Sequence, residues 1–281
     1  MKVTFCGVRG STPAPGPEFV RYGGNTSCVA IARDTGDPHL LLDAGTGLAR
    51  VTRMLDGRPF VGTLLLGHLH WDHTHGLPFF SSGDNPDAVV RLLLPAQGPG
   101  TAEDLLGRAM SPPHFPIAPC ELRGDWSFVA IEEGSHEIEG FRVLAREVPH
   151  KGGRTFGYRV SDDTCSVAYL SDHWPGSLGR GPQGFGPYHE AALTLADGVG
   201  LLIHDGQYTA EEYRNRSAFG HSAVDYAVGL ARAAGAARLA LFHHDPGRTD
   251  DELDAIARTW GSTIPDVTVA REQDTLRPGR S

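Results

Sequence analysis

The segment GHLHWDHTHG, at residues 67–76, carries three histidines and one aspartate in the spacing H-x-H-x-D-H. Imidazole nitrogens and carboxylate oxygens are ligands that bind zinc and neighbouring transition metals in proteins. The apolar run at residues 64–66 predicts that the motif lies in a loop at the end of a strand. The first two histidines can then face one ion while the aspartate and the last histidine turn towards a second. The predicted ligands of this motif are His68, His70, Asp72 and His73.

Four further candidates each follow another apolar run of the chain: His150, Asp172, His204 and His243. Taken alone, a histidine after a strand is more often a hydrogen-bonded loop residue than a metal ligand. Strand ends meet at one edge of a sheet, however, so side chains that repeatedly occupy this position converge. Together with the first motif, the pattern predicts that His150, Asp172 and His243 complete a metal site.

The elements that must position these residues are short β-rich runs with helices between and after them. Several runs are continuously apolar, as expected of strands covered on both faces. The predicted strands are residues 3–8, 27–32, 39–43, 62–67, 89–94, 128–131, 141–148, 155–160, 166–171, 200–204 and 238–243. The clearest helices are residues 223–234 and 250–260, and the second opens with acidic residues that favour a helix N-terminus. The order predicts an α/β fold with two packed sheets and outer helices.

The domain organisation follows from the absence of a linker between two compositions and of a visible internal repeat. We expect a single domain over residues 1–271 and a flexible tail over residues 272–281. Three segments rich in glycine and proline are predicted to be long loops, at residues 11–17, 95–119 and 174–187. Long ordered loops are often functional.

The charge of the chain bears on its partners. The formal net charge is −9, and the basic residues are scattered rather than clustered. Proteins that bind nucleic acid usually present a basic patch, because neutralised phosphates supply most of the non-specific affinity. The charge therefore predicts a small-molecule substrate and argues against a nucleic-acid partner.

The four cysteines, at positions 6, 28, 120 and 165, lie far apart and form no C-x-x-C pair, which predicts reduced thiols. The first residues lack the apolar core of a signal peptide, and no apolar run approaches the length of about 18 residues that a membrane span needs. We expect a cytoplasmic protein with no membrane partner.

On these residues the chain resembles the metallo-β-lactamase-fold superfamily. The H-x-H-x-D-H motif, the later histidines and aspartate, and Asp43 in LLDAGTG all match the family's pattern in order. The resemblance implies a four-layer αββα sandwich of two mixed sheets with outer helices. It also implies two divalent metal ions, with zinc expected ahead of manganese or iron, and a role for Asp43 in ordering the metal loop. One ion would take His68, His70 and His150, the other Asp72, His73 and His243, and Asp172 would bridge them.

The chemistry implied by the resemblance is hydrolysis by a metal-bridged hydroxide, because coordination lowers the pKa of water towards about 7. Asp72 would also orient this nucleophile. The segments HKGGRTFGYRV, SDH, HDGQYT, GHS and LFHHDP appear in the same order as in ribonuclease Z and cyclic-phosphate phosphodiesterases. His221, in GHS, would assist at the phosphate or leaving group, beside amide donors of a helix beginning at Ser222. His204, which is predicted to be catalytic, and Asp205 occupy the position of the His-Glu pair of ribonuclease Z, and the resemblance implies that this shorter acid holds His221, directly or through water.

The leading interpretation is a phosphodiesterase that acts on a small or cyclic phosphodiester. A transfer-RNA nuclease is disfavoured because the loop at residues 174–187 contains one basic residue, Arg180. Two alternatives stay open: hydrolysis of an ester, lactone or amide in specialised metabolism, and a non-catalytic metal-binding scaffold. Many relatives form dimers, so the resemblance also allows a homodimer.

Overall fold

Two seven-stranded sheets pack face to face, and helices cover their outer faces. The computed structural model describes residues 1–263 and 265–279. Its strands are β1 (Lys2–Gly7), β2 (Cys28–Ala32), β3 (Leu40–Leu42), β4 (Val61–Leu65), β5 (Val89–Pro95), β6 (Asp125–Ile131), β7 (Gly134–Ile138), β8 (Phe141–Val148), β9 (Thr155–Ser161), β10 (Ser166–Leu170), β11 (Leu201–Asp205), β12 (Arg238–Phe242), β13 (Asp266–Val269) and β14 (Thr275–Leu276). The α-helices are α1 (Leu48–Met54), α2 (Ala102–Gly107), α3 (Glu190–Ala196), α4 (Ala210–Arg216), α5 (Val224–Ala233) and α6 (Asp250–Trp260).

Each sheet has an antiparallel half and a parallel half. The first sheet has the order β14-β1-β2-β3-β4-β5-β6, and the strands from β3 to β6 run parallel. The second has the order β13-β12-β11-β10-β9-β8-β7, and the strands from β10 to β13 run parallel. Strand β8 is antiparallel to β9, which is antiparallel to β10, so β8 and β10 point the same way. The carboxyl ends of β8, β10, β11 and β12 therefore meet at one edge.

The layers follow from which face each apolar side chain takes. In β3, Leu40 and Leu42 join the core between the sheets, whereas Leu41 joins the outer core under α1 and α2. This alternation is the two-residue period of a strand, with both faces buried. A third apolar core packs α3, α5 and α6 on the second sheet. The predicted four-layer αββα architecture is confirmed.

Most element predictions agree with the structure, and the differences have local causes. The strand 141–148 and the helix 250–260 are observed with the predicted bounds. Helix α2 lies inside the predicted loop 95–119, where the Thr101 hydroxyl accepts from the Asp104 amide and the Asp104 carboxylate from the Thr101 amide. Residues 272–276 of the predicted flexible tail 272–281 pack on the first sheet, because Glu272 is buried and β14 pairs with β1, and residues 280–281 lie outside the described residues. No helix in the described part of the chain is long and apolar enough to cross a bilayer.

Arg9 follows β1, and its hydrogen bonds connect the N-terminal loop with the loop that follows β12. Its side chain is fully buried and donates to the backbone carbonyls of Gly23 (2.8 Å) and Arg248 (2.6 Å). The guanidinium also lies 3.7 Å from a carboxylate oxygen of Asp250. This network fixes the loop that follows β12, where His243 lies.

We expect Arg9→Met to lower the free energy of unfolding by about 3–5 kcal/mol, because it removes the buried cation beside Asp250 and leaves two buried carbonyls without their donors. Urea unfolding measures the change. Arg58→Met is the matched control, since the pair of Arg58 with Asp37 is exposed and such pairs contribute about 0–1 kcal/mol. Equal effects of the two substitutions would contradict the assigned role of Arg9.

Candidate metal centre

All seven predicted ligands meet where strands of the two sheets end. The 67–76 loop follows β4, and a short 3₁₀ turn at Trp71–His73 directs its side chains inwards. His150 follows β8, Asp172 follows β10, and His243 follows β12 directly. Six of the seven form two sets, in each of which the ligand atoms lie within 4.8 Å of one another: His68, His70 and His150, and Asp72, His73 and His243. Overlapping groups of the same kind join Asp172 to His68 and His73, Asp172 to His150 and His221, and Asp205 to His221 and His243.

Asp172 lies between the two sets and turns one oxygen towards each. Its Oδ1 is 3.5 Å from Nε2 of His150 and 4.0 Å from Nε2 of His68. Its Oδ2 is 3.0 Å from Nε2 of His73 and 3.3 Å from Nε2 of His243. A carboxylate in this position can bridge two cations and offset their repulsion.

We call the seven residues the ligand cluster. Their donor atoms fit divalent metals. Among the described residues, the buried polar atoms without a hydrogen-bond partner include both ring nitrogens of His68, Nε2 of His73 and Oδ2 of Asp172. Unpaired buried polar atoms are rare and costly in native proteins. A metal ion at the centre would supply a partner for those of these atoms that face it. Nitrogen and carboxylate donors of this kind suit zinc and related divalent transition metals.

Hydrogen bonds on the far side of the rings fix the direction in which the ligand nitrogens point. Nδ1 of His73 donates to Asp43 (2.7 Å), Nδ1 of His150 to the carbonyl of Gly220 (2.7 Å), and Nδ1 of His243 to the side chain of Gln207 (2.9 Å). Each bond leaves Nε2 free to face the centre. Such partners orient metal ligands and raise their basicity.

The carboxylate of Asp43 accepts hydrogen bonds from four groups around the metal loop. It accepts from the amide of Gly67 (2.7 Å), the hydroxyls of Tyr169 (2.7 Å) and Ser171 (3.3 Å), and the ring of His73. The backbone of Asp43 is left-handed, with φ of 61°. Asparagine tolerates this conformation, so Asp43→Asn changes the hydrogen bonding and spares the backbone.

We expect Asp43→Asn to weaken metal affinity by roughly 10–100-fold, because the amide nitrogen would face at least one of these donors. Competition with a chromophoric chelator measures the affinity. Tyr169→Phe removes a single donor to the same carboxylate and is expected to have a smaller effect. An Asp43→Asn protein that binds metal as tightly as the parent would contradict the predicted role of Asp43.

The electrostatics of the cluster favour positive charge at its centre. Burial would raise the pKa of Asp172, but the neighbouring rings of His243 and His73 hold it well below its usual range. Burial lowers the pKa of His150 to about 4, so this ring is neutral at pH 7. Burial opposes protonation of His243, yet the carboxylates of Asp172 and Asp72 outweigh it and raise its pKa to about 9. Ionised carboxylates beside buried imidazoles are the arrangement that attracts metal cations.

His221 lies beside the cluster and is held by an acid. Its Nδ1 is 3.1 Å from Oδ2 of Asp205 and 3.6 Å from Oδ1 of Asp172. The same Asp205 oxygen accepts from the amide of Ser222 at 3.1 Å. The expected amide donor at Ser222 is therefore already committed to Asp205, and α5 begins only at Val224.

His204 is not brought to the cluster, which corrects its prediction as a catalytic residue. It is fully buried in β11, where Nδ1 bonds to the carbonyl of Asp205 (2.8 Å) and Nε2 pairs with His173 (3.0 Å). Successive residues of a strand point to opposite faces, so only one of His204 and Asp205 can face the site. Asp205 does so, and it contacts His221.

The N-terminal loop closes the cluster from the first sheet. The amide of Ser11 donates to Oδ2 of Asp72 at 2.6 Å. A Cβ on Gly10 would lie 2.3 Å from the ring of His243, so the loop approaches as closely as only glycine allows. A cavity of about 360 Å³ opens over the site. We call it the site cavity; it is lined by Ser11, Leu69, His70, Trp71, Asp72, Asp172 and His221.

Three further residues of the site are not among the predicted ligands and catalytic residues. Asp205 was indicated only by the resemblance to ribonuclease Z, as the acid that would hold His221, and the direct contact of 3.1 Å agrees with that expectation. Gln207 and Ser11 act through one contact each with His243 and Asp72, and no spacing pattern indicates such long-range contacts.

The comparisons of this chain with known proteins agree with one another. Residues 39–244 match the model of the beta-lactamase superfamily domain. The chain is 26% identical to ribonuclease Z of Haloarcula marismortui over 86% of each protein. Its fold is similar to human tRNase Z, short form (TM-score 0.67, 21% identity, 99% of each chain). It is also similar to a diphosphatase of the PhnP family (TM-score 0.70, 17% identity, 98% of this chain and 96% of that one).

The relatives overturn one prediction from the composition. The charge of −9 argued for a small-molecule substrate and against nucleic acid, but the curated relatives in this comparison are named ribonuclease Z. That prediction is wrong because net charge is a sum over the whole surface and does not report the field at one site. The enzyme prediction, by contrast, is confirmed: the protein is a metal-dependent hydrolase. The match over residues 39–244 and the geometry of the ligand cluster together establish that the chain belongs to the beta-lactamase superfamily.

Proposed function

We propose that the protein hydrolyses a phosphodiester bond and that its substrate is RNA. The observation that carries this proposal is the His221–Asp205 pair beside two ligand sets joined by Asp172. Pairs of metal ions in one site are typical of phosphatases and nucleases, in which they neutralise the charge of an in-line displacement. Two divalent ions, with zinc proposed first, would supply an acidified water and stabilise negative charge.

The residues around the ligand cluster have separable roles in this proposal. Asp205 holds Nδ1 of His221, which leaves Nε2 as the ring nitrogen available to the site cavity. In that position His221 can give a proton to the oxygen that leaves phosphorus. Asp72 is fixed by the amide of Ser11 and lines the same cavity, where it can orient the attacking water. Positioned acid and base groups of this kind contribute typically about 10²–10⁴-fold to a rate.

The choice of RNA rests on the relatives, since the curated proteins that the chain matches are named ribonuclease Z. One of these matches spans 100% of this chain and 97% of the relative, from Lacticaseibacillus casei. The N-terminal loop, the ligand cluster and the His221–Asp205 pair of this chain therefore all lie within the matched length.

The test compares three substrates on zinc-loaded protein: an RNA, bis(p-nitrophenyl) phosphate and p-nitrophenyl acetate. We expect turnover of both phosphodiesters and little turnover of the acetate. Reconstitution with manganese or iron in place of zinc tests the choice of metal in the same assay. Hydrolysis of the acetate with no phosphodiester turnover would contradict the proposal and favour the ester-hydrolase interpretation.

A further inference from the structure

An apolar cavity lies next to the site cavity and has no role in the mechanism above. Its volume is about 360 Å³, within the range of small-molecule sites. Leu69 lines both cavities, so the two adjoin across one side chain. The lining residues described for it include no Asp, Glu, Lys or Arg. A phosphate would therefore not be held there, whereas an uncharged group attached to that phosphate would be.

The walls of this apolar cavity are mainly aliphatic, with two phenylalanine rings and two histidine rings among them. Phe79 and Phe115 meet edge to face at 5.8 Å, and His75 forms part of the rim. His75 also stacks on Trp71, with ring centroids 5.5 Å apart and planes inclined by 16°. The indole is held on this side and remains 65% exposed, so another flat ring can stack on it. The exposed face of Trp71 and the rings of Phe79 and Phe115 therefore offer aromatic contacts to a planar ring.

The exposed aromatic rings lie close in sequence to residues of the site. Nine large apolar side chains are exposed in the described part of the chain, and three of them are aromatic. Trp71 lies between two ligands, Phe79 follows the ligand motif, and Phe219 lies two residues before His221. Exposed aromatic side chains beside a cavity commonly mark a binding site. Proteins that bind single-stranded RNA stack its bases on such rings.

We propose that Trp71, His75 and the apolar cavity form a base-binding subsite, which holds the nucleobase that flanks the scissile phosphate. This inference rests on the proposed function, because it places the phosphate of the same substrate in the site cavity. The subsite makes the protein prefer nucleotide phosphodiesters to those that lack a base. Stacking is tolerant of sequence, so the preference is for a base rather than for one particular base.

The test uses two substrates with the same leaving group, uridine 5′-(p-nitrophenyl phosphate) and methyl p-nitrophenyl phosphate. We expect Trp71→Ala to lower kcat/KM for the uridine substrate by about 5–150-fold, the range that corresponds to stacking of one base. The loss of turnover on the methyl substrate should be much smaller, because that substrate has no base to stack on the indole. Trp71→Phe should retain most of the parent kcat/KM for the uridine substrate. Phe79→Ala, which lies outside the ligand segment, should lower this kcat/KM as Trp71→Ala does. Val61→Ala, exposed at the start of β4, is the control and should change neither substrate.

Equal losses on the two substrates, or no loss on either, would overturn the subsite. A calorimetric comparison on metal-loaded protein separates this failure from failure of the proposed function. Uridine 5′-monophosphate should bind more tightly than ribose 5-phosphate, and Trp71→Ala should abolish the difference. If the parent protein hydrolyses neither phosphodiester, the proposed function fails, and this binding comparison alone decides the subsite. Equal binding of uridine 5′-monophosphate and ribose 5-phosphate by the parent protein would overturn the base-binding subsite.

Discussion

Replacement of Asp172 by alanine is expected to lower kcat/KM by more than about 10³-fold and to reduce the metal content below two ions per chain. Asp172 is the residue whose two oxygens face both ligand sets, so its loss affects both ions together. A metal pair contributes several kcal/mol to transition-state stabilisation, and each 1.36 kcal/mol lost is a tenfold loss of rate. Steady-state kinetics and elemental analysis on the same sample measure the two effects.

Asp163→Ala is the matched control, because Asp163 is an exposed aspartate outside the ligand cluster. It should retain both metals and full activity. The result also separates an enzyme from a metal-binding scaffold. If Asp172→Ala lowered stability while neither it nor the parent protein had any activity, the scaffold interpretation would be favoured. Full activity in Asp172→Ala would exclude a bridging role for this carboxylate.

His221→Ala is expected to lower kcat by about 10²–10⁴-fold while both metals stay bound. His221 belongs to neither of the two ligand sets expected from the sequence, and its Nδ1 is held by Asp205. It also forms possible metal-binding groups with His150 and Asp172 and with Asp205 and His243, so the metal content of the variant has to be measured. If it protonates the leaving oxygen, the loss should depend on the leaving group. p-Nitrophenolate leaves without much help from an acid, so the loss should be smaller for a p-nitrophenyl ester than for an RNA. Comparing kcat for these two substrates measures the difference.

Asp205→Asn tests whether Asp205 acts through His221. Because the two residues form one unit, the double variant with His221→Ala should be no slower than His221→Ala alone. Additive losses would contradict a shared role. Equal losses on both leaving groups would contradict proton donation by His221, and loss of metal from His221→Ala would make it a ligand.

The fold and the ligand cluster could be predicted because each ligand follows an apolar run. Residue types that bind metal are rare after buried strands, so their repetition at 68–73, 150, 172 and 243 is a strong pattern. Parallel strands then place residues that are distant in sequence at one edge of the sheet. The bounds of α6 were equally readable, because Thr249 and Glu252 form a capping box.

The contact of Asp205 with His221 was indicated by the family resemblance and not by any local pattern. All five residues of β11 are buried, so its sequence has no alternation of polar and apolar positions. Without alternation, the sequence of the strand alone does not show whether His204 or Asp205 faces the cluster. The contacts of Ser11 and Gln207 depend on loops that close over long separations, as does the pairing of β14 with β1. Such contacts are set by tertiary packing and leave no local signal.

The central claim is that two metal ions share the seven residues of the ligand cluster. An anomalous difference map at the zinc edge, from crystals of zinc-loaded protein, tests it most directly. We expect two peaks: one within bonding distance of His68, His70 and His150, the other near Asp72, His73 and His243, with Asp172 between them. A map without peaks, or with a single peak away from Asp172, would contradict the account.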